Sequence, residues 1–233
     1  QLATSEVNVS TIEDPIEMVE PAFNQMQVNR QIDLTFASGV RALMRQDPDI
    51  IMVGEVRDLE TAEIAVQAAL TGHLVLSTLH TNDAPSAFTR LQELGLPSYL
   101  IRSSVIGVMA QRLVRTLCPH CKEKQDVDER AWKQLTAPWL VKTPPFIYGA
   151  KGCLESRGTG YMGRMGIYEV MPLTENLEPL IHESTDQQKL RQAAMKEGMH
   201  SLRLSGAHKV AAGMTTIAEV MRGAPATRLN NQG

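Results

Sequence analysis

The sequence predicts an α/β protein with a mainly parallel sheet, followed by a small cysteine-containing module and a helical C-terminal part. Three observations lead there. Short apolar runs alternate with helix-length segments through the first half of the chain, the order that builds parallel sheets. All three cysteines and both tryptophans fall between residues 118 and 170, a stretch rich in proline and glycine. Beyond Pro172 the apolar residues return to helical spacing. The expected divisions are therefore 1–117, 118–170 and 171–233.

Taken in order, Val7, Val9 and Ile12 form a first strand that runs into the acidic turn Glu13-Asp14-Pro15-Ile16-Glu17. Residues 35–46 place Phe36, Val40, Leu43 and Met44 on one helical face, and Asp47-Pro48 stops that helix. Ile50 to Val53 is a continuous apolar run, as in a strand covered on both faces. Asp58 then caps a helix with Glu60 and Glu63 in its early turns, ending at Gly72. His73 to Leu79 reads as another buried strand. A polar turn, Thr81-Asn82-Asp83-Ala84-Pro85, opens a helix carrying Phe88, Leu91 and Leu94 that stops at Gly95. Pro97 to Leu117 reads as one long helix with Leu100, Ile101, Val105, Val108, Met109 and Leu113 facing inward. Later, Leu190, Ala193 and Ala194 form a stripe ending at Gly198, and a helix follows from about 201 to 213. Thr216-Ile217-Ala218-Glu219 has the form of a capping box. Asn230–Gly233 is expected to be disordered.

Composition narrows the function classes. The chain has 233 residues, a net charge of -3, 43% hydrophobic and 21% charged residues. No broad basic field points to direct nucleic-acid binding, and Arg112-Leu113-Val114-Arg115 is a short surface feature. No apolar run approaches the roughly 20 residues of a membrane span. No basic stretch followed by an apolar one opens the chain, so the expected location is cytoplasmic. Three cysteines with a C-x-x-C pair, Cys118 and Cys121, point to metal or thiol chemistry rather than a disulfide framework.

Three polar clusters each follow an apolar strand: Glu13/Asp14/Glu17, Glu55/Arg57/Asp58 and His80/Thr81/Asn82. In an open parallel sheet the ligand lies beyond the carboxyl ends of the strands, so clusters on neighbouring strands would converge. Nucleoside triphosphate hydrolysis needs such groups: an acid for Mg²⁺ or its waters, another to orient the attacking water, and donors near the γ-phosphate. The competing reading is that strand-to-helix turns are polar in any α/β protein and that helix N-termini attract acids. That suffices for one cluster and strains for three in series. The chain contains no G-x-x-x-x-G-K-[ST] phosphate loop.

The segments TIEDPIE, DPDIIMVGEVRDLETAEIAVQAALTGHLVLSTLHTNDA and AQRLVRTLCPHCKE closely resemble the secretion ATPase superfamily, general secretory pathway E class. GYMGRMGIYEVMP and AGMTTIAEVMRG extend the resemblance over nearly the whole chain. It implies a RecA-like core using ATP and Mg²⁺, in which Glu13–Glu17 is the Asp box, Ile50–Asp58 the Walker B segment and Gly72–His80 the His box. Glu55 is then the Walker B glutamate, acting on the Mg²⁺ water shell or the attacking water. Glu17, with Glu13 and Asp14, acts in catalysis and metal positioning, and His80 reads the nucleotide state. Arg45 and Arg57 support the site or a subunit contact, with salt bridging to nearby acids as the alternative, and Asp58 lies on the cofactor side.

The family's phosphate loop precedes the Asp box. The expectation is that this chain is the C-terminal part of a longer protein, with Gln1–Val7 ending the helix after that loop. Without the loop's amides and lysine it would neither bind ATP tightly nor hydrolyse it. The resemblance also implies a zinc-ribbon-like module of two C-x-x-C knuckles. Cys118 and Cys121 match the first and Cys153 the start of the second, but Ser156 stands at the fourth position, and a hydroxyl is a poor zinc ligand. Either His120, a carboxylate or water completes a three-cysteine Zn²⁺ site, or the module has dispensed with zinc. The implied whole is a homo-hexamer at the cytoplasmic side of the inner membrane, working with a membrane platform and cytoplasmic adaptor proteins and without direct nucleic acid. Type II secretion, through pseudopilus assembly, is the leading reading. Type IV pilus assembly, a non-catalytic adaptor and a DNA-handling relative are the alternatives.

Overall fold

A computed structural model describes Thr4 and residues 6–224. The expected disorder of Asn230–Gly233 lies outside the described residues, as do Gln1–Ala3 and Ser5 of the expected helix end. The chain forms two compact units. The first comprises Gln1–Thr81, Ser86–Ile106 and Leu173–Thr185, and the second Asn82–Pro85, Gly107–Pro172 and Asp186–Gly233.

In the first unit four strands form a parallel sheet: β1 (Val9–Glu13), β2 (Asn24–Gln27), β3 (Ile50–Val53) and β4 (Leu74–Ser77), in the order β2-β1-β3-β4. Two helices cover one face, α1 (Phe36–Leu43) and α2 (Leu59–Leu70). Their Ala37, Val40, Leu43, Ile64 and Ala68 pack with Ile12, Ile51 and Val53 in one apolar core. Each large side chain buried this way stabilises the fold by about 1.5–3 kcal/mol. Both helices start where the sequence places a cap. Thr35 and Ser38 make a reciprocal capping box for α1, and the Asp58 carboxylate accepts from the Thr61 amide for α2. The unit also holds most of α3 (Pro85–Glu93) and all of α4 (Ser98–Ser104).

Two expectations change here. β2, with the sequence Asn-Gln-Met-Gln, has no apolar run to betray it and is a polar edge strand. β4 forms where expected but is the other edge, so Leu74 and Val75 are half-buried while Leu76 and Ser77 are exposed.

The second unit contains the largest departure. The helix expected across 97–117 is only α4, after which β5 (Gly107–Leu117) is a strand. It pairs antiparallel with β8 (Tyr161–Pro172), from Gly107 opposite Pro172 to Leu117 opposite Tyr161. Ala110 and Val114 point inward, whereas Met109, Gln111 and Leu113 are exposed, an alternation of period two. Met109 and Leu113 also suit a helical stripe, and the partner that decides between the periods lies more than 40 residues away in sequence. β8 itself falls in the stretch read as irregular. A second hairpin joins β6 (Lys122–Gln125) to β7 (Ile147–Ala150). Four helices complete the unit: α5 (Glu129–Thr136), α6 (Gln187–Lys196), α7 (Leu202–Ala211) and α8 (Ile217–Gly223). Trp132, Leu135, Leu204, Ala207, Val210 and Val220 are buried among them. Gly206 lets α7 meet α8, because a Cβ there would lie 2.2 Å from Val220 Cγ1.

The capping box at Thr216 is half made. Thr216 Oγ1 accepts from the Glu219 amide at 3.3 Å, but the Glu219 carboxylate turns away from the cap. It accepts from the Arg115 amide at 3.2 Å, from the Arg115 guanidinium at 2.6 Å and from Arg222 at 2.9 Å. Arg115 in turn lies 4.0 Å over the Tyr161 ring. Glu219 is 4% exposed, and the Arg115 hydrogen bond holds its carboxyl below the usual range. A depressed carboxyl stabilises the fold above its unfolded pKa, and that stability is lost as pH falls through the native value. Glu219→Ala should therefore cost about 1–2 kcal/mol at pH 7, because it removes the hydrogen bonds that Arg222 and a partly exposed Arg115 make to this carboxylate. The deficit should shrink as pH falls below about 4.5, and urea unfolding across pH 3–7 measures both effects.

Candidate functional site

The first unit builds the site from strand ends. Because β1, β3 and β4 are parallel and pair in register, Ile12 with Val53 and Val53 with Ser77, their carboxyl ends open on one edge of the sheet. Glu13 ends β1, Glu55 follows β3 by two residues, and His80 follows β4 by three. Main-chain bonds hold these ends together. The Gly54 amide donates to Ile12 O at 2.8 Å, and the Val56 amide donates to Thr78 O at 3.0 Å. The Thr78 hydroxyl donates to Gly54 O at 2.7 Å. Glu55 is thus set between two clamped neighbours. Gly54 eases this closeness, since a Cβ there would be tight, 3.2 Å from Ile12 O and 3.3 Å from Phe36 Cε1.

Glu55 is the centre of the cluster. One carboxylate oxygen accepts from Arg57 at 2.6 Å, and the other lies 3.2 Å from His80 Nε2. The Glu55 side chain is 13% exposed, whereas those of Arg57 and His80 are 59% and 84% exposed. The acid is enclosed, and its two partners face solvent. Glu13 is equally fixed: its Oε1 accepts from Thr11 Oγ1 at 2.6 Å and from Gln25 Nε2 at 3.0 Å. Gln25 also donates to Met18 O, and the Ile16 amide donates to Gln27, so β2 anchors the acidic turn. Asp14 lies 3.8 Å from Arg30, and Glu17 is exposed on the same turn.

Not every expected residue comes to this place. Asp58 uses its carboxylate to cap α2. Arg45 lies in the turn after α1, ahead of the first residue of β3, and so belongs to the opposite end of the sheet from Glu55. Thr11, Gln25 and Thr78 were not singled out from the sequence, although they orient Glu13 and the strand ends. Gln25 sits on the strand without an apolar signal, and Thr11 and Thr78 become meaningful only once strand register is known.

The cysteines meet in the second unit. Cys118, Cys121 and Cys153 bring their sulfurs within 4.8 Å of one another, an arrangement compatible with zinc binding. Among the described residues no histidine or carboxylate joins them, so His120, which is exposed, does not complete the set. The fourth corner is Ser156. Its Oγ lies 3.5 Å from Cys153 Sγ and 3.7 Å from Cys121 Sγ, while Cys118 and Cys153 sulfurs are 3.9 Å apart. A tetrahedral zinc with bonds of about 2.3 Å would space its sulfurs by about 3.8 Å. Burial pushes the Cys118 thiol up, and hydrogen bonding from Ser156 brings Cys153 down to about 7.

Comparison with known proteins agrees with this geometry. Residues 1–222 match the family described as Type II/IV secretion system protein. The chain is 58% identical over 227 residues to the Type IV pilus assembly ATPase TfpB of Acinetobacter baylyi, covering 97% of this chain and 39% of that protein. It is 49% identical over 222 residues to the Type II secretion system ATPase E of Vibrio cholerae, covering 95% of this chain and 44% of that one. The chain thus spans less than half the length of these relatives. A crystal structure of the pilus retraction motor PilT with bound ADP superposes with a TM-score of 0.64 at 28% identity, covering 95% of this chain and 53% of that one.

Gly54→Ala tests the clamp. The added methyl should cost about 1–3 kcal/mol in urea unfolding, by forcing the β3 end away from β1. It should also move the His80 ring resonances in NMR spectra, because Glu55 shifts with the strand.

Proposed function

Since the chain belongs to the type II/IV secretion system protein family, we propose that it is part of a motor that hydrolyses ATP to assemble a pilus-like fibre. The observation that carries this reading is the convergence of Glu13, Glu55 and His80 at the carboxyl ends of three adjacent parallel strands. A polar turn on an unrelated sheet gives no reason for an enclosed carboxylate held between an exposed arginine and an exposed histidine.

In this reading Glu55 orients the attacking water or a water of the metal shell, and its hold on Arg57 and His80 is exchanged when nucleotide arrives. Mg²⁺, when bound with ATP, neutralises charge on the β- and γ-phosphates. The carboxylates of Glu13, Asp14 and Glu17 are hard oxygen donors and suit that ion or its waters. His80, released from Glu55, becomes a donor that senses the γ-phosphate. Asp58 acts on the cofactor side by fixing the start of α2 three residues beyond Glu55. Arg45, at the far end of the sheet, serves a subunit contact. The three thiols of the second unit are the donors for a zinc ion in that module.

The whole protein is read as a homo-hexamer at the cytoplasmic face of the inner membrane, engaging a membrane platform and cytoplasmic adaptors. The greater identity to a type IV pilus assembly ATPase supports pilus assembly over the type II pseudopilus, which remains the second reading. The 233-residue chain contains no phosphate loop and is expected to turn over no ATP by itself. In the longer protein that carries the loop, Glu55→Gln should lower ATP turnover by about 100-fold or more while leaving nucleotide affinity within a few-fold. Steady-state ATPase assays with fluorescent-nucleotide binding check this. Unchanged turnover in Glu55→Gln, or turnover by the 233-residue chain alone, would overturn it. Loss of surface pili with secretion intact in a null strain would separate the two fibre readings.

A further inference from the structure

The cysteine centre has a feature that three thiols do not explain. Ser156 is 5% exposed, and its hydroxyl sits at the corner where a fourth zinc ligand would stand. A serine hydroxyl has one proton to donate and two lone pairs to accept with. Here main-chain amides take both lone pairs, and the one proton has Cys153 O at 3.1 Å and the Cys153 and Cys121 sulfurs at 3.5 and 3.7 Å within reach. Ser156 Oγ accepts from the Cys153 amide at 3.0 Å and from the Gly160 amide at 3.1 Å. No lone pair is left for a metal, and a neutral hydroxyl is a weak zinc donor to begin with.

These bonds also do what a metal does in a small module, which is to tie distant turns together. Gly160, whose amide reaches Ser156, accepts through its carbonyl from the Cys118 amide at 2.9 Å. The first cysteine turn is thereby joined to the second through Gly160 and Ser156. Within the second turn the Gly158 amide bonds Cys153 O at 2.8 Å, and the Thr159 amide and hydroxyl reach Ser156 O at 3.0 and 2.6 Å. Nearby, Trp132 and Leu135 supply the unit with a buried apolar core of its own.

We propose that Ser156 closes this centre by hydrogen bonding in place of a fourth metal ligand. The cysteine module then folds without zinc, and zinc on the three thiols is weakly held and dispensable. The proposal is independent of the catalytic reading.

The test uses the 233-residue chain, reduced and loaded with zinc, then challenged with a colorimetric zinc chelator while thermal unfolding is followed. The wild-type protein should surrender its zinc to the chelator, with Tm unchanged to within roughly 2 °C. Ser156→Cys, which restores a fourth thiol, should retain about one equivalent under the same challenge, as a closed four-thiolate site does. Ser156→Ala removes the hydroxyl and should lower Tm by roughly 4 °C or more, equally with and without zinc. Retention of one equivalent by the wild type, or a fall in its Tm when zinc is stripped, would overturn the proposal. So would a Ser156→Ala protein as stable as wild type. Should Ser156→Cys fail to fold, the wild-type chelation result decides the matter.

Discussion

Parallel pairing of β1, β3 and β4 is the constraint on which the site depends. Parallel strands share a direction, so whatever follows each strand is delivered to the same edge of the sheet. The register then sets which residues meet, and the Gly54–Ile12 and Val56–Thr78 bonds carry that register past the ends of the strands. Glu55 is held because its neighbours on both sides are tied to other strands. The fixed acid and the exposed Arg57 and His80 around it follow from one backbone arrangement, with the core of α1 and α2 beneath it as the rigid support.

The second unit solves a different problem. Its long β5–β8 ribbon is only two strands wide, and such a ribbon is marginal without further packing. Helices α7 and α8 provide that packing, α5 packs in turn on them, and the Arg115–Glu219 pair fastens α8 to β5. The same economy governs the cysteine centre, where Ser156 spends both of its hydroxyl lone pairs on main-chain amides. In both places a polar side chain takes up work that its sequence motif would assign elsewhere: Glu219 leaves its cap for Arg115, and Ser156 leaves a ligand position for backbone amides.

The sequence by itself determined the α/β class, the strand at Ile50–Val53, the cap at Asp58, the helix beginning near Ser201, and the acidic, Walker B-like and histidine segments. These are local properties, written in apolar runs, capping residues and contiguous motifs. The tertiary structure alone decided that Gly107–Leu117 is a strand, that polar Asn24–Gln27 joins the sheet, and that Arg45 lies at the opposite end of the sheet from Glu55. It also decided that main-chain amides take both lone pairs of Ser156. The two strands depend on partners distant in sequence, β8 for β5 and β1 for β2, whereas the main-chain groups around Ser156 lie three and four residues away and are set by how that turn folds. Strand pairing is non-local and the turn around Ser156 takes its shape only in the fold, so spacing along the chain cannot express either.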